Sequence, residues 1–538
     1  MSNRYDVIAR LTAPGEPFEI RTEMVHGHEM SVFRHRQQSL LELLDASRLF
    51  GDAEYVVSTE HRISFSEHYR MVAALAAALR ERYGVRPGDR VMLLSANRPE
   101  WIIGFWAAVS LGAVAVGGNS MWAAPEVAHG VELTEPVVVL ADEPRRGLVA
   151  GCGAAVIAIE DELWSLIAEF DGAAMPQVDV AEDDAAVILF TSGTTGRAKG
   201  ATHSHRNMIA ALWFHLLNDA IAADLGHPAT GRRYLLATPL FHIAALHNLA
   251  VIRLAVGDTA VIHLGRFDIE QVLALIESER VTNWGAVPTM LHRLVEADLS
   301  GFDLSSLANV SVSSAPSSAE LKARLREAVP QAAKAFGTTY GLTESSSAAT
   351  LATPAELSAD PETVGGAVPT MQVRVCDHAD RPVPDGVEGE VHIRGPLVML
   401  GYWRNPEATA AGTASDGWFR TGDLGVMNAG RLRICSRRSD LILRGGENIY
   451  PAEVEDQLTQ HPGVAECIVV GVPDADMGQA VAAVVVARPG AELDEEVLRA
   501  HLEPRLARYK IPTEWRIGTT PLPRNATGKV NRRELEVG

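Results

Sequence analysis

Between Glu67 and Tyr83, Met71, Leu75 and Leu79 recur on one stripe with alanines around them, which predicts an amphipathic helix. Gly84-Val-Arg-Pro-Gly-Asp89 follows as turn chemistry, and Arg90-Val-Met-Leu-Leu94 is a continuous apolar run of the kind a buried strand shows. Helix followed by apolar strand recurs over residues 97–117, 125–141 and 145–158. That alternation predicts an α/β domain with a largely parallel sheet. Residues 1–60 carry arginines and histidines with weak periodicity. The longest apolar run, Ile102 to Gly118, covers 17 residues and contains four glycines. It lies at the lower limit of a membrane span, so a buried helix turning at Gly112 into a buried strand is expected instead.

A second β-type run, Ala185–Phe190, leads into Thr191-Ser-Gly-Thr-Thr-Gly-Arg-Ala-Lys-Gly200. Ser204 then opens a helical pattern with Met208, Leu212, Trp213 and Leu216 on one face. The alternation continues with a strand at Tyr234–Thr238, a helix at Ile269–Ser278, a strand at Val281–Ala286 and a helix at Ala319–Ala328. Near residue 362 short strands, Gln372–Cys376 and Gly389–Ile393, alternate with turns such as Pro382-Val-Pro-Asp-Gly386, predicting a small antiparallel or barrel-like region. After the charged patch at residues 436–440 a smaller unit follows. It has helices at Ala452–Thr459 and Asp494–Leu506 and strands at Glu466–Val470 and Ala480–Val486. The expected division is an N-terminal domain over 1–437, a junction at 438–440 and a C-terminal domain over 441–538. No fixed-period repeat is evident.

Composition narrows the function. The formal net charge of −20 argues against a nucleic-acid partner, so any anionic substrate must be held by local groups. Cys152, Cys376, Cys435 and Cys467 are far apart and form no C-x-x-C pair, which argues for a reducing compartment and against structural zinc. Arg4, Asp6, Arg10 and Glu16 interrupt the N-terminus, and no apolar signal core is seen. A cytoplasmic protein without a transmembrane segment is the expectation.

The chemistry centres on residues 191–200. Glycines let backbone N–H groups turn inward, hydroxyls add donors and Lys199 adds charge, a set that suits a polyphosphate. A flexible surface loop has the same composition, and G-x-x-x-x-G-K-[ST] cannot be laid over it. His203 and His205 form an H-x-H pair with no third metal ligand evident, and they are read as surface histidines.

Four further stretches complete a pattern. They are Tyr340-Gly-Leu-Thr-Glu344, Trp418-Phe-Arg-Thr-Gly-Asp423, Arg437 with Asp440-Leu-Ile-Leu-Arg-Gly-Gly-Glu-Asn-Ile-Tyr-Pro451, and Pro523-Arg-Asn-Ala-Thr-Gly-Lys529. In this order and at these separations, from about residue 40 to 535, the chain resembles the acyl-adenylate-forming superfamily of acyl-CoA synthetases, peptide-synthetase adenylation domains and luciferases. The resemblance implies a large N-terminal domain of sheets flanked by helices, a barrel-like subdomain and a small mobile C-terminal α+β domain. It also implies ATP, Mg2+ and coenzyme A as cofactors.

Residue roles follow from the same resemblance. Thr191, Ser192, Gly193, Thr194, Thr195 and Gly196 match the phosphate cradle, where Ala198 stands in place of the usual proline. Lys199 is either a phosphate ligand or a solvated cation. Tyr340 and Gly341 match the adenine site, with Ala315 and Pro316 also on the cofactor side. Thr343 matches the donor to the α-phosphate, and Glu344 the magnesium ligand. Asp423 matches the carboxylate on the ribose hydroxyls, and Arg437 its neighbour on ribose or phosphate. Lys529 matches the lysine that bridges the attacking carboxylate and the α-phosphate. Ser439 falls at the hinge, where relatives carry aspartate or lysine, and Ser436 replaces a common glycine. Gly445 and Gly446 match the track of the pantetheine arm, where missing side chains permit close approach.

His242, after Phe241, matches a position near the substrate carboxylate; the aspartate that amino-acid-activating relatives place there is missing. The acid pocket is assigned to His242, Ala245, Leu246, Trp284, Ser314, Ala315, Gly337, Thr338, Gly341, Leu342 and Ser347. Most are small or apolar, which suits a fatty or bulky alicyclic acid. The implied reaction is ATP-dependent activation of that acid to an acyl-adenylate and transfer to coenzyme A. The alternative is an adenylating ligase that gives the acyl group to an amine or a carrier-protein thiol. A non-catalytic binding protein on the same fold is disfavoured by Glu344, Asp423 and Lys529 together. Partners are then a small-molecule carboxylic acid, ATP and coenzyme A, with a homodimer left open.

Overall fold

The computed structural model describes residues 4–191, 197–228, 231–312, 319–332, 337–437, 440–444, 447–474, 477–524, 530, 532 and 535. A seven-stranded sheet runs in the order Gly401–Tyr402, Lys199–Ser204, Ala185–Thr191, Val114–Gly117, Arg90–Leu94, Val138–Ala141, Ala155–Ala158. The last five of these are mutually parallel, and Lys199–Ser204 lies antiparallel to both of its neighbours. These are the strands read from the first half of the chain, with Lys199–Ser204 and Gly401–Tyr402 added.

Among the described residues thirteen strands form a second sheet. One half is parallel, built on Thr259–Ile262, Arg233–Leu236, Asn283–Ala286, Asn309–Val312 and Thr338–Tyr340. At Thr338–Tyr340 the direction reverses, and the strands from Thr350–Ala352 to Gln372–Cys376 are antiparallel. The antiparallel region expected after residue 362 is therefore hydrogen-bonded to the α/β part through Tyr340, rather than only packed on it.

Local chemistry sets the helices. Phe65–Glu81 begins on a reciprocal cap in which Ser64 Oγ accepts from Glu67 N and Glu67 accepts from Ser64 N. Its buried face carries Val72, Leu75 and Leu79. Pro99–Ser110 is buried all round, turns at Gly112 with φ of +67°, and enters the Val114–Gly117 strand as expected. No described helix is long and apolar enough to cross a membrane.

After Arg437 the next described strands belong to a separate five-stranded sheet over Ile442–Arg444, Glu447–Ile449, Val464–Asp474, Gly478–Ala487 and Glu514–Gly518. It has its own apolar core, including Val454, Leu458, Val481, Val485, Leu498 and Leu502. The helix expected to reach Leu506 stops at Leu502, two residues before Pro504. Tyr450 donates to Glu388, tying this unit to the antiparallel strands.

Candidate active site

The phosphate-loop stretch is the tip of a hairpin. Thr191 pairs with Lys199 across the two strands, and Ser192 to Gly196 lie outside the described residues. In a Walker A loop a helix begins directly after the glycines. Here five strand residues, Lys199 to His203, intervene before Ser204 caps the His205–Asp224 helix. An anion held there would therefore meet Lys199 at the start of a strand rather than a helix end. At the foot of the loop the Ala198 carbonyl is 3.0 Å from His129 Nε2.

A carboxylate stands beside this hairpin. Glu344 sits in the short turn Thr343–Ser345, and its Oε1 accepts from Tyr402 Oη at 2.7 Å. Lys199 Nζ lies 4.6 Å from the centre of the Tyr402 ring. The Gly401–Tyr402 strand is held by Trp403 N donating to Gly200 O and by Tyr402 N donating to Thr409 Oγ1. Asn207, inside the capped helix start, donates to the carbonyls of Pro396 and Val398, and Met399 N donates to Glu344 O. Tyr402, Asn207 and His129 escaped sequence reading. The Gly-Tyr-Trp run at 401–403 is the signal for the first, and the other two show only in three dimensions.

A second carboxylate closes the other flank. Asp423 is 4% exposed and directly opposite Arg437 on the neighbouring strand. Its Oδ1 lies 2.9 Å from Arg437 Nε, and its Oδ2 accepts from Tyr340 Oη at 2.7 Å. Burial, then the Asp423 charge, pushes the Tyr340 phenol well above its ordinary value; burial, then Glu344, does the same to Tyr402. Both phenols stay protonated and donate. Each Asp423 oxygen keeps a further lone pair for another donor.

The turn between these flanks is tightly specified. A Cβ on Gly341 would meet Ser347 O at 2.1 Å, so no side chain is tolerated there. Ser346 takes a left-handed φ of 55°. It is braced by His203 Nδ1 at 2.8 Å from its Oγ and His247 Nδ1 at 3.0 Å from its carbonyl. The surface expectation for His203 and His205 is overturned. Both are buried, because each imidazole is neutral and bonded inside, His205 Nδ1 accepting from Leu40 N at 3.2 Å.

Of the assigned acid-pocket residues, His242 lies half-buried against Phe241, with ring centres 4.5 Å apart. Its loop is fixed by Asn97, which donates to Thr238 O and accepts from Leu240 N. Ala245, Leu246 and Trp284 are core residues, Trp284 stacking on Phe267. Gly337, Thr338 and Leu342 are half-buried around the Thr338–Tyr340 strand, and Ser347 Oγ donates to Asn248 Oδ1 at 2.6 Å. Ser314, Ala315, Pro316, Ser439, Gly445, Gly446 and Lys529 lie outside the described residues. Around Lys529 the flanks are fixed, because Arg524 pairs with Val530 and with Glu466, and Arg532 with Glu455. Two surface depressions, of about 630 Å³ by Asp45 and Tyr69 and about 400 Å³ by Leu299 and Gln331, contain none of these residues.

Two carboxylates held by phenols, with a braced turn between them and Lys199 against the Tyr402 ring, are the polar groups these elements bring together. Residues 44–403 match the model of the AMP-binding enzyme family, and residues 453–529 that of the AMP-binding enzyme C-terminal domain. The chain belongs to the AMP-binding enzyme family, as one of its acyl-CoA synthetases.

Among curated relatives, feruloyl-CoA synthase of Amycolatopsis sp is 37% identical over 480 residues, covering 88% of this chain and 93% of the relative. The 3-[(3aS,4S,7aS)-7a-methyl-1,5-dioxo-octahydro-1H-inden-4-yl]propanoyl:CoA ligase of Rhodococcus jostii is 33% identical, covering 91% and 96%. Among solved structures, o-succinylbenzoate CoA synthetase from Bacillus subtilis in complex with its acyl-adenylate intermediate superposes with a TM-score of 0.80 at 28% identity, covering 93% and 98%. The same synthetase has been solved with ATP and magnesium ion.

Proposed function

We propose that this chain is an AMP-forming acyl-CoA synthetase that activates a hydrophobic, fatty or alicyclic carboxylic acid with ATP and transfers the acyl group to coenzyme A. The observation that carries the reading is the pair of phenol-held carboxylates: Glu344, whose partner Tyr402 also meets Lys199, and Asp423, held by Tyr340 and Arg437.

In the first step the substrate carboxylate oxygen bonds to the α-phosphorus and the bond to pyrophosphate breaks. Two like charges about 4 Å apart repel by roughly 4 kcal/mol at an effective dielectric of 20. Residues 191–196 and Lys199 counter that repulsion on the leaving pyrophosphate. Thr343, whose hydroxyl takes no bond within the described chain, donates to the α-phosphate. Tyr340 presents its ring to adenine with its hydroxyl anchored on Asp423, and Asp423 accepts from the ribose hydroxyls. Lys529 bridges the two reacting groups and acts mainly in the transition state. His242 lies beside the substrate carboxylate. In the second step the coenzyme A thiolate bonds to the acyl carbon, AMP departs, and the thiol proton passes to solvent. Rotation about Ser439 exchanges the two steps, and Gly445 and Gly446 flank the pantetheine arm.

The donor set fits magnesium. No group of three or more His, Cys, Asp or Glu side chains converges among the described residues. A hard cation that keeps waters and substrate phosphates needs only a carboxylate such as Glu344. Bound there, magnesium would neutralise phosphate charge. The four free cysteines support a cytoplasmic location.

The relatives' names support an aryl or alicyclic acid. The test is incubation with ATP, magnesium, coenzyme A and a panel of such acids, read by mass spectrometry. Acyl-CoA and AMP in equal amounts are expected. Amide product or acylated carrier protein in place of acyl-CoA would overturn the acceptor assignment.

A further inference from the structure

The segment after His242 holds a side chain whose bonds are only half used. Asn248 is half-buried within the Leu246–Val251 run, while His247 and Leu249 on either side are buried. Its Oδ1 accepts from Ser347 Oγ at 2.6 Å and lies 3.0 Å from His215 Nε2. Ser347 Oγ, together with His215 in the tautomer that carries its proton on Nε2, donates to this one oxygen and turns the NH2 group the other way. That NH2 makes no bond to the described chain and is not sealed from solvent.

The three side chains come from three elements: the His205–Asp224 helix, the run after His242, and the turn after Glu344. They meet at a partly open surface inside the domain. His215 as a whole is half-buried, and burial of its ring, followed by Arg253, pushes its pKa down to about 4. Asn248 follows His242 by six residues, across the Ile243–Ala245 helical turn and into the π-helix Leu246–Val251, so the two side chains are set apart along one short helical stretch. His215 is neutral near pH 7, and the charged groups that act on it are already paired, Arg253 and Arg232 with Asp258 and Arg232 also with Asp219. A second carboxylate has no cation there to meet, whereas a neutral acceptor has a ready donor.

We infer that the Asn248 amide, oriented by Ser347 and His215, donates to a ketone or hydroxyl oxygen at the end of the acid remote from its carboxylate. This rests on the acyl-CoA synthetase reading and sharpens the acid from simply hydrophobic to oxygen-bearing. Once a bound acid covers that NH2, a substrate that lacks the oxygen leaves it without water or partner, and the site discriminates against that substrate.

The test compares 3-(4-oxocyclohexyl)propanoate with 3-cyclohexylpropanoate as acids in the thioester assay. The native chain should favour the keto acid in kcat/KM by about tenfold or more. Asn248→Asp keeps the shape but replaces the donor with an acceptor, and Asn248→Leu removes both. In each variant the preference should fall to about unity or invert. Equal kcat/KM for the two acids in the native chain, or a preference that survives both substitutions, would overturn the inference. Absence of thioester from every acid, native chain included, would instead defeat the parent reading of function.

Discussion

At the scale of single residues, Tyr402 gains most. It joins the hairpin lysine to the Glu344 carboxylate, holding one by its ring and the other by its hydroxyl. Tyr402→Phe keeps the ring and removes the donor. A hydrogen bond to a charged group contributes about 1.5–3 kcal/mol, so kcat/KM for MgATP should fall about tenfold or more. Steady-state assays with ATP and magnesium varied separately check this, and an unaltered value would remove Tyr402 from the site. Single residues were also where sequence reading was least complete. Glu344 and Asp423 were legible because each ends a motif. Tyr402, Asn97 and Asn248 stand outside the motifs quoted from the sequence and act through partners far along the chain, among them Glu344, Leu240 and Ser347. His203 and His205 looked like surface residues because histidine is polar in isolation, whereas inside the fold a distant segment supplies a partner for Nδ1 of each ring.

At the scale of elements, the capped start of the His205–Asp224 helix links the hairpin to Glu344. Ser204 Oγ accepts from Asn207 N, and the Asn207 side chain reaches the 396–398 carbonyls. Ser204→Ala removes the cap and should destabilise the large domain by about 1 kcal/mol, seen as a lower urea midpoint. An unmoved midpoint would mean that packing alone fixes the helix end. The helix was legible from its apolar face and its serine. The strand before it was not, because Lys-Gly-Ala-Thr-His-Ser has no apolar alternation. It is a strand because neighbours on both sides complete its ladder, a tertiary effect that outweighs local propensity. Glu514–Gly518 escaped for a related reason: among the described residues it pairs with Gly478–Ala487 alone, and its residues alternate between exposed and half-buried.

At the scale of the whole molecule, buried neutral histidines couple stability to pH. Burial lowers His68 and His247 to about 3 and His205 to about 4. In the unfolded chain these groups titrate near 6.5. Between those values the unfolded state binds more protons, so their contribution is fully present above about pH 6.5 and is lost as pH falls toward 4. Melting temperature should therefore drop steadily from pH 7 to pH 5. A flat profile over that interval would contradict the buried, neutral assignment. The broad architecture was legible because helix-then-strand alternation admits few arrangements. The continuity of the second sheet through Thr338–Tyr340 was not, since it depends on a reversal of strand direction that no periodicity records.

The central claim is that this chain joins a carboxylate to the α-phosphate of ATP before any thiol enters. Exchange of labelled pyrophosphate into ATP, with an acid and magnesium but without coenzyme A, tests it directly in the native chain and in Lys529→Ala. The account predicts acid-dependent exchange in the native chain and its loss in the variant while ATP still binds. Exchange at the native rate in Lys529→Ala, or no acid-dependent exchange in the native chain, would contradict it.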